Sequence, residues 1–304
     1  MDINLTIAIA TYNQDLALKR TLDSLMPQVS DRNIEVLILD DSTNDLSSKL
    51  VRKYNSNIQY HKGIKKSLDH ADFWLMEHAK GKYVWWFGDD VFIEGAVDKV
   101  CKVLEFEPDF VWVNSMVNSI GKERAKDLGQ SRWMTGNEVI EEIGDMLTFL
   151  SALVWRRNFI TRELWRGNHK LGNCMAYMYP QLECLSKNGN YYYLAEPLFY
   201  SDEKDFSNLW YDPFVVFSKN YFEALDNFLD RENIRDSLLR EKRRRGKQIL
   251  FGVIKYRLDG KNYGLGKASL KDILSIYYKH FIFWLLLPIF LMPKHLMKLF
   301  GKFL

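Results

Sequence analysis

The sequence predicts an α/β fold in which a mixed, mostly parallel sheet carries helices on its faces. Strand-like and helical segments alternate four times within about the first ninety residues. The strand-like runs are mostly apolar, as is typical of interior strands in a parallel sheet. Three of these runs end in clusters of polar residues. Alternation of this kind indicates a doubly wound, Rossmann-like sheet.

Length and composition limit the possible classes of protein. The chain has 304 residues, of which 47% are hydrophobic and 27% charged, so we expect a sizeable folded core. Three cysteines, Cys101, Cys174 and Cys184, lack the spacing of a metal site and cannot all pair. This favours a reducing compartment. The N-terminus has neither the basic region nor the cleavage site of a secretory signal.

Apolar patterning predicts the elements of the first third of the chain. Alternating or continuous apolar runs indicate strands, and a 3.6-residue period indicates the helices between them. Pro27 is expected to end the first helix, whose apolar stripe includes Leu16 and Met26. We predict strands at residues 5–10, 34–39, 58–61 and 83–87, and helices at residues 15–26, 47–54, 65–79 and 94–104.

The following hundred residues are patterned less regularly. Strands are predicted at 110–117, 149–157 and 189–197. Arg156 and Arg157, at the end of the second of these, could contact phosphate. The polar segment 121–136, which contains Trp133, is predicted to be a loop that orders over a bound ligand. A disordered surface loop is the alternative.

Polar clusters follow three of the predicted strands at the same end. They occupy residues 11–13, 40–45 and 88–90, and the last contains two adjacent aspartates. Because the carboxyl ends of parallel strands meet at one edge of a sheet, these clusters should converge, and ligands bind at that edge. Two adjacent carboxylates repel each other unless a cation compensates them. The pattern indicates a divalent-metal site for a diphosphate, with a polar turn as the alternative.

The same three segments resemble the motifs of family 2 glycosyltransferases, which have the GT-A fold. Residues 6–13 look like the opening strand of that family, and residues 39–45 are similar to its Asp-Asp-x-Ser-x-Asp motif. Residues 79–90 resemble its Ala-x-Gly-x-Tyr strand leading to a metal-binding motif. The aromatic form of the last motif is similar to the bacterial branch acting on O-antigen-type polysaccharides, which includes abequosyltransferase-like proteins.

The resemblance implies a nucleotide-sugar site around the first two motifs. Asp41 matches the family carboxylate that hydrogen-bonds the base, and Thr11 and Tyr12 match the positions that line the base pocket. For Asp40 and Asp41 the alternative is a turn or helix-capping role. We assign the ligand role to Asp41 and the capping role to Asp45.

The resemblance also implies a metal, Mg²⁺ or Mn²⁺, on the third motif. Asp89 and Asp90 fall on its metal-binding positions, and Gly88 replaces the first acidic residue of the usual motif. Asp90 is therefore expected to be the direct ligand. Asp89 is expected to contact the sugar and ribose or to support the ligand from the outer shell.

One departure from the family concerns the helix predicted after the third strand. Many members carry Ala-Arg-Asn there, aimed at the phosphates, where this chain has Ala71-Asp72-Phe73. Lys62, Lys65 and Lys66 lie just upstream and could supply the positive charge instead. A solvated helix face is the alternative for these lysines.

A second departure concerns the catalytic base. Inverting members place a Glu-Asp pair where this chain has Tyr177 and Met178. Glu183 follows two turns later on the same predicted helix and is our first candidate for the base. Asp145 is the second, and the acidic pair at residues 202–203 is a further possibility. A retaining mechanism, which needs no such base, stays open.

The sequence changes character after about residue 214. We therefore predict a glycosyltransferase domain over residues 1–214, with a donor half at about 1–105 and an acceptor half at about 106–214. Residues 215–304 form a helical, basic region in which residues 240–247 contain six basic side chains. Residues 281–292 are apolar but too short to span a bilayer.

The last segment, residues 277–304, predicts an in-plane membrane anchor. Apolar and aromatic residues lie opposite one lysine-rich face of the predicted helix. The alternative is a C-terminal helix that docks on the body of the protein or on a partner. The lysines on that face are Lys294, Lys298 and Lys302.

These observations together predict a glycosyltransferase that is peripheral to the cytoplasmic face of the bacterial plasma membrane. It would move a sugar from a nucleotide-diphosphate donor to a polyprenyl-diphosphate-linked saccharide during O-antigen or capsule synthesis, and would bind no nucleic acid. One alternative is a nucleotidyl polymerase, because Gly-Asp-Asp between apolar strands also marks polymerase palms. Another is a catalytically silent nucleotide-sugar-binding scaffold.

Overall fold

A computed structural model describes most of the chain, which divides into two compact units, Met1–Glu203 and Lys204–Leu304. Residues 202–211 are not among those described, so the predicted boundary after residue 214 stays a prediction. The described residues are 3–29, 33–54, 58–64, 67–117, 124–160, 173–201, 212–259, 270–278 and 281–293.

The first unit is built on a nine-stranded sheet with the order β3-β2-β1-β4-β8-β6-β9-β5, and β7 pairs with β9 beside this path. The strands are β1 (Leu5–Thr11), β2 (Ile34–Asp40), β3 (Ile58–Lys62), β4 (Tyr83–Phe87), β5 (Val91–Phe92), β6 (Phe110–Val117), β7 (Arg132–Met134), β8 (Leu153–Arg156) and β9 (Tyr191–Ser201).

Strand direction confirms the predicted mixed, mostly parallel sheet. Strands β3, β2, β1 and β4 all run parallel, so all four end at one edge, which we call the carboxyl edge. The opposite edge, where they begin, is the amino edge. Strand β8 runs antiparallel between β4 and β6, and β6 pairs in parallel with β9.

Helices between the strands cover the faces of the sheet. The fourth helix packs on the sheet through Ala96, Val97 and Val100, which are all fully buried. The helices are α1 (Asp15–Val29), α2 (Leu46–Val51), α3 (Leu68–His78), α4 (Ala96–Leu104) and α5 (Met178–Leu185).

Helix α1 departs from its prediction at both ends. It continues through Pro27 to Val29, which is fully buried. The Gln28 amide donates to the Ser24 carbonyl at 2.8 Å, so a side chain helps to hold the last turn. At the other end, Leu16 is 75% exposed and does not belong to the buried stripe.

The core of the first unit is aromatic because β4 is apolar on both faces. All five residues of β4 are buried. The indole of Trp85 donates to the Ser151 carbonyl at 2.9 Å, which joins β4 to the segment before β8. Phe87 stacks on Phe92 of β5 with ring centroids 3.8 Å apart. These contacts fix the two strands on either side of the Asp89–Asp90 turn.

Two further predictions are corrected around β9. The strand continues past Pro197 to Ser201, and the register of β6 against β9 shifts on either side of Asn114, the partner of Pro197. Proline is tolerated in a strand at such an irregularity. Residues 132–134 of the predicted loop 121–136 instead form β7, an antiparallel partner of β9.

The second unit is helical. Its buried Glu241 accepts from the Tyr221 hydroxyl at 2.9 Å and pairs with Arg244 at 2.7 Å. None of the helices described in either unit is long and apolar enough to cross a membrane. The helices of the second unit are α6 (Tyr221–Asp226), α7 (Glu232–Asp259), α8 (Leu270–Tyr277) and α9 (Phe281–Leu291).

Candidate active site

The loops that follow β1 and β2 are tied together at the carboxyl edge. The backbone N–H of Asp41 donates to the Thr11 carbonyl at 3.0 Å. Asn13, in a left-handed conformation with φ 52°, donates its N–H to the Ser42 hydroxyl at 2.7 Å. Its side-chain oxygen accepts from the Thr43 N–H at 3.0 Å. The first two polar clusters therefore form one surface, with Tyr12 half-buried in it.

The Asp41 carboxylate lies directly against Gly63, the residue that follows β3. A Cβ built on Gly63 would lie 2.0 Å from Asp41 Oδ1, far inside any real contact. The Gly63 N–H donates to the Asp40 carbonyl at 2.9 Å, so its backbone cannot easily move away. The absence of a side chain at position 63 therefore leaves room for the Asp41 carboxylate at the carboxyl edge.

Asp40, the neighbour of Asp41, is structural. Its fully buried carboxylate accepts from the Ser42 N–H at 2.9 Å, the Tyr60 hydroxyl at 2.6 Å and the Lys62 ammonium at 3.0 Å. Burial alone would raise the pKa of Asp40, but these hydrogen bonds outweigh it and lower the pKa. Because Lys62 is engaged by Asp40, the structure does not place it as a phosphate ligand.

The turn from Gly88 to Asp90 is held from both sides. The Gly88 N–H donates to the Ser151 hydroxyl at 2.9 Å. From α1, the Thr21 hydroxyl donates to the Asp90 carbonyl at 2.8 Å. Asp90 is only 5% exposed, whereas Asp89 is half-buried. Three elements therefore fix two adjacent carboxylates at the carboxyl edge.

The donor set of this turn fits a magnesium-type ion that also binds substrate. Among the described residues, no three His, Cys, Asp or Glu side chains converge to hold a metal by themselves. Mg²⁺ usually takes one or two carboxylates and completes its shell with substrate phosphates and water. Asp89 and Asp90 supply oxygens of this kind, and their metal-binding role stays a prediction.

Asp145 reaches the same edge through the segment that precedes β8. Val154 of β8 pairs with Trp85 of β4, and residues before Val154 continue beyond the end of β4. The contact of Ser151 with Gly88 confirms that direction. Asp145, half-buried, therefore lies on the carboxyl-edge side, in a short helical turn whose Thr148 carbonyl accepts from the Tyr177 hydroxyl at 3.1 Å.

Glu183 lies toward the other edge. Helix α5 begins beside Thr148 but ends near the amino edge, where the Tyr191 hydroxyl donates to the Cys184 carbonyl at 2.6 Å. Tyr191 is opposite Phe110, the first residue of β6, at that same edge. The helix axis thus carries Glu183 away from Asp89 and Asp90. Its role as a base stays a prediction, and this placement favours Asp145.

Two buried carboxylates on α3 have roles that the sequence pattern does not predict. Asp69 is fully buried and accepts from the backbone N–H groups of Cys174 and Ala176, each at 3.0 Å. Asp69 therefore pins the residues that lead into α5 to the donor half of the sheet. The sequence gives one local signal, because Ser67 caps α3 and places Asp69 in its first turn.

Asp72, one helical turn after Asp69, is 1% exposed, and its Oδ2 accepts no hydrogen bond within the described part of the chain. Burial raises the pKa of Asp72 well above its ordinary value, and the charge of Asp69 raises it further. The same environment raises the pKa of the nearby Cys174 thiol to about 12. Asp72 therefore does not replace the family arginine as a phosphate ligand.

Several other residues for which we predicted a capping or phosphate-binding role make contacts that do not fit that role. Asp45 stands at the N-cap of α2 but makes no capping hydrogen bond; it pairs instead with Lys49 at 2.8 Å. Arg156 binds the Pro108 carbonyl and Asp109, and Arg157 the Gly81 carbonyl. These partners lie at the amino edge, so neither arginine is placed to contact phosphate there. Outside the described residues lie Lys65, Lys66, the acidic pair at residues 202–203, and the anchor lysines Lys294, Lys298 and Lys302.

Known proteins of similar sequence and fold support the fold described above. The sequence profile described as "Glycosyl transferase family 2" matches residues 6–165, which is more than half of the chain. The chain therefore belongs to glycosyl transferase family 2 and is of the nucleotide-sugar glycosyltransferase class. No curated protein sequence matches the chain.

Solved structures with the same fold include residues 1–349 of S. aureus TarS. That structure is 14% identical with a TM-score of 0.60, over 85% of this chain and 75% of TarS 1–349. Its complex with UDP-GlcNAc is 13% identical with a TM-score of 0.60, over 91% and 80% of the two chains. Its complex with UDP is 13% identical with a TM-score of 0.55, over 88% and 76%.

The two buried carboxylates of α3 should respond oppositely to amidation. Asp72→Asn should raise the melting temperature at pH 7, because it removes a group whose pKa is raised in the folded state. A raised folded-state pKa makes the wild type lose stability as pH rises above the unfolded value of about 3.9. The gain in Asp72→Asn should therefore vanish below about pH 4.

Asp69→Asn is the matched control. It cannot accept from both Cys174 and Ala176 with one amide oxygen, and should cost about 1–3 kcal/mol of unfolding free energy. Thermal unfolding of both variants between pH 4 and pH 8 measures the effects. Equal destabilisation by both substitutions at pH 7 would contradict this account of Asp72.

Proposed function

We propose that this protein transfers a sugar from a nucleotide-diphosphate-sugar to a lipid-linked saccharide in bacterial surface polysaccharide synthesis. The observation that carries the proposal is the convergence of two sites on the carboxyl edge. One is the Asp41 carboxylate backed by Gly63, and the other is the braced turn containing Asp89 and Asp90. One site suits a nucleotide base, and the other suits a diphosphate with its metal.

In this proposal, each residue acts through its place at the edge. The Asp41 carboxylate accepts an N–H of the base, while Thr11 and Tyr12 line the pocket beside it. Asp90 and Asp89 hold the ion, with Asp89 also near the sugar. The ion, Mg²⁺ or Mn²⁺, would neutralise the diphosphate as it leaves. Since the TarS structures hold UDP and UDP-GlcNAc, we propose a uridine-diphosphate donor here.

Asp145 is the base we propose if the enzyme inverts the anomeric configuration. It lies in the segment that touches Gly88, whereas α5 carries Glu183 toward the amino edge. A carboxylate near the transferred sugar can take the proton of the acceptor hydroxyl. A retaining enzyme would need neither residue.

A membrane position is proposed from the second unit. Helix α9 exposes a row of large apolar side chains: Phe281 at 75%, Trp284 at 51%, Leu285 at 60% and Leu291 at 61%. Helix α7 of the same unit carries the basic run 240–247. Apolar insertion and attraction to anionic lipid together favour peripheral binding at the cytoplasmic face. A lipid-linked acceptor diffuses in that surface.

Two alternatives make different predictions. A silent scaffold would bind the nucleotide-sugar without turning it over, which the absence of a Glu-Asp pair at Tyr177 and Met178 keeps open. A nucleotidyl polymerase would consume nucleoside triphosphates, and the family match argues against it. Hydrolysis of UDP-sugars and of nucleoside triphosphates, each with and without metal, separates the three functions.

The metal prediction is tested with Asp90→Asn. UDP-sugar turnover should need added Mg²⁺ or Mn²⁺ and stop with a chelator. The variant should fold normally but lose more activity than the roughly 10–100-fold that follows loss of an outer-shell partner. Glu94→Gln, which alters an exposed carboxylate four residues later, is the control and should behave as wild type. Metal-dependent activity retained in Asp90→Asn would refute the assignment.

The choice of base is tested by comparing Asp145→Asn with Glu183→Gln. In an inverting enzyme, Asp145→Asn should lower kcat by roughly 10²–10⁴, the usual contribution of a general base. Glu183→Gln should have a small effect because α5 carries it to the other edge. A larger loss of kcat in Glu183→Gln than in Asp145→Asn would make Glu183 the candidate base. Product with the donor's anomeric configuration would exclude both.

Membrane binding is tested by flotation with vesicles of phosphatidylethanolamine and phosphatidylglycerol. A triple variant with Phe281→Ser, Trp284→Ser and Leu285→Ser should lose flotation, while donor binding by the first unit should be unchanged. Phe106→Ser, which removes a side chain 68% exposed in the first unit, should float like wild type. Salt should release the wild type only in part, because apolar insertion persists. Flotation of the triple variant equal to wild type would mean that α9 is an ordinary packing helix.

A further inference from the structure

A groove that contains Trp133 lies at the amino edge of the sheet, opposite the edge that carries Asp89 and Asp90. We call it the Trp133 groove. Its volume is about 410 Å³, within the range of about 300–1,000 Å³ seen for small-molecule sites. Strand β7 forms one wall, and the residues just before β9 form the other. The residues that matter for its chemistry are Trp133, Thr135, Glu138, Lys187, Asn188 and Asn190.

The walls of this Trp133 groove are rigid. Trp133 pairs across the sheet with Tyr192, and their rings meet edge to face with centroids 5.1 Å apart. The backbone at Gly136 approaches α5 so closely that a Cβ there would lie 2.1 Å from the Leu185 carbonyl oxygen. On the other wall, the Tyr191 hydroxyl donates to the Lys187 carbonyl at 3.0 Å. The groove therefore exists before any ligand arrives.

The charged groups along the β7 wall pair with one another. Glu138 accepts from the Thr135 N–H at 2.7 Å and the Thr135 hydroxyl at 2.9 Å, and pairs with Arg132 at 3.1 Å. Arg132 also pairs with Glu142 at 2.6 Å. These groups are committed to one another, so they hold the wall in shape. One arginine against two glutamates leaves this wall weakly acidic, and Lys187 on the other wall offsets that charge.

The groups that face solvent in the groove are an aromatic ring and two amides. The Trp133 side chain is 48% exposed although its ring is fixed. Asn188 and Asn190 are exposed, and their side-chain amides make no hydrogen bond within the described part of the chain. Lys187 beside them is exposed as well. An exposed indole and side-chain amides that line the same groove offer an apolar surface and several directional hydrogen bonds.

We infer that the Trp133 groove is a saccharide-binding site separate from the transfer site. A sugar ring has an apolar face of C–H groups and a rim of hydroxyls. The C–H face can lie on the negative face of the indole, while the rim meets amides that both donate and accept. A neutral sugar suits a groove in which Lys187 offsets a weakly acidic wall, and the volume suits one or two rings.

The position of the groove gives it a role in holding acceptor. Strand β9 runs from Tyr191, at the groove, to Tyr200, which pairs with Val91 immediately after Asp90. Nine residues of strand cover about 30 Å at about 3.3 Å each. A saccharide chain of several units held on Trp133 would therefore stay on the enzyme while another part of it occupies the transfer site. This role rests on the proposed function, but the binding itself does not.

The inference is tested by NMR of protein carrying ¹⁵N-labelled tryptophan, titrated with maltotriose, cellotriose and chitotriose. The indole signal of Trp133 is identified as the one missing from Trp133→Phe. At least one trisaccharide should shift that signal in wild type. Binding followed by saturation transfer should weaken at least tenfold in Trp133→Ala and less in Trp133→Phe. Asn188→Ala should weaken it about threefold.

Two controls separate this site from the donor site. Phe106→Ala removes a more exposed aromatic elsewhere in the first unit and should leave binding unchanged. Asp41→Ala, which alters the proposed nucleotide site, should also leave trisaccharide binding unchanged. The test of the groove therefore does not depend on whether the proposed donor site is correct. No perturbation of the Trp133 signal by any trisaccharide, or equal binding by a folded Trp133→Ala, would overturn the inference.

Discussion

The close approach of the Asp41 carboxylate to Gly63 is the contact on which the arrangement of the carboxyl edge depends. It joins the end of β2 to the end of β3, in the space that a side chain on Gly63 would fill. Hydrogen bonds from Asp41 to Thr11 and from Asn13 to Ser42 extend that link to the end of β1. The proposed pocket for the nucleotide base therefore forms because the ends of these strands are held in register.

Burial separates the roles of carboxylates that look alike in the sequence. Asp40 is surrounded by donors that stabilise its charge, so its pKa is lowered and it supports the edge. Asp72 lacks such donors within the described residues, and its pKa is raised. Asp41 and Asp89 retain exposed surface at the edge. Both can therefore contact a ligand without rearrangement of the residues around them.

The parts predictable from sequence are those set by local pattern. Apolar runs ending in polar clusters gave the parallel strands, and the converging strand ends gave the candidate donor site. The link from Asp69 to Cys174 spans 105 residues and leaves no local pattern. The resemblance to the family favoured Glu183, on the helix where members keep their acidic pair. It could not show which edge of the sheet α5 approaches, because that direction is a tertiary property. Strand β7, with three residues, is too short for periodicity to reveal.

The central claim is that Gly63 holds Asp41 where it binds the nucleotide, and calorimetric titration of UDP with Mn²⁺ tests it most directly. In Gly63→Ala the new Cβ must displace the carboxylate, so affinity should fall by about 1–3 kcal/mol, the usual value of a hydrogen bond to a charged group. Gly246→Ala, whose Cβ meets nothing nearer than 3.5 Å, should bind as wild type does. Unchanged affinity in a folded Gly63→Ala protein would contradict the account.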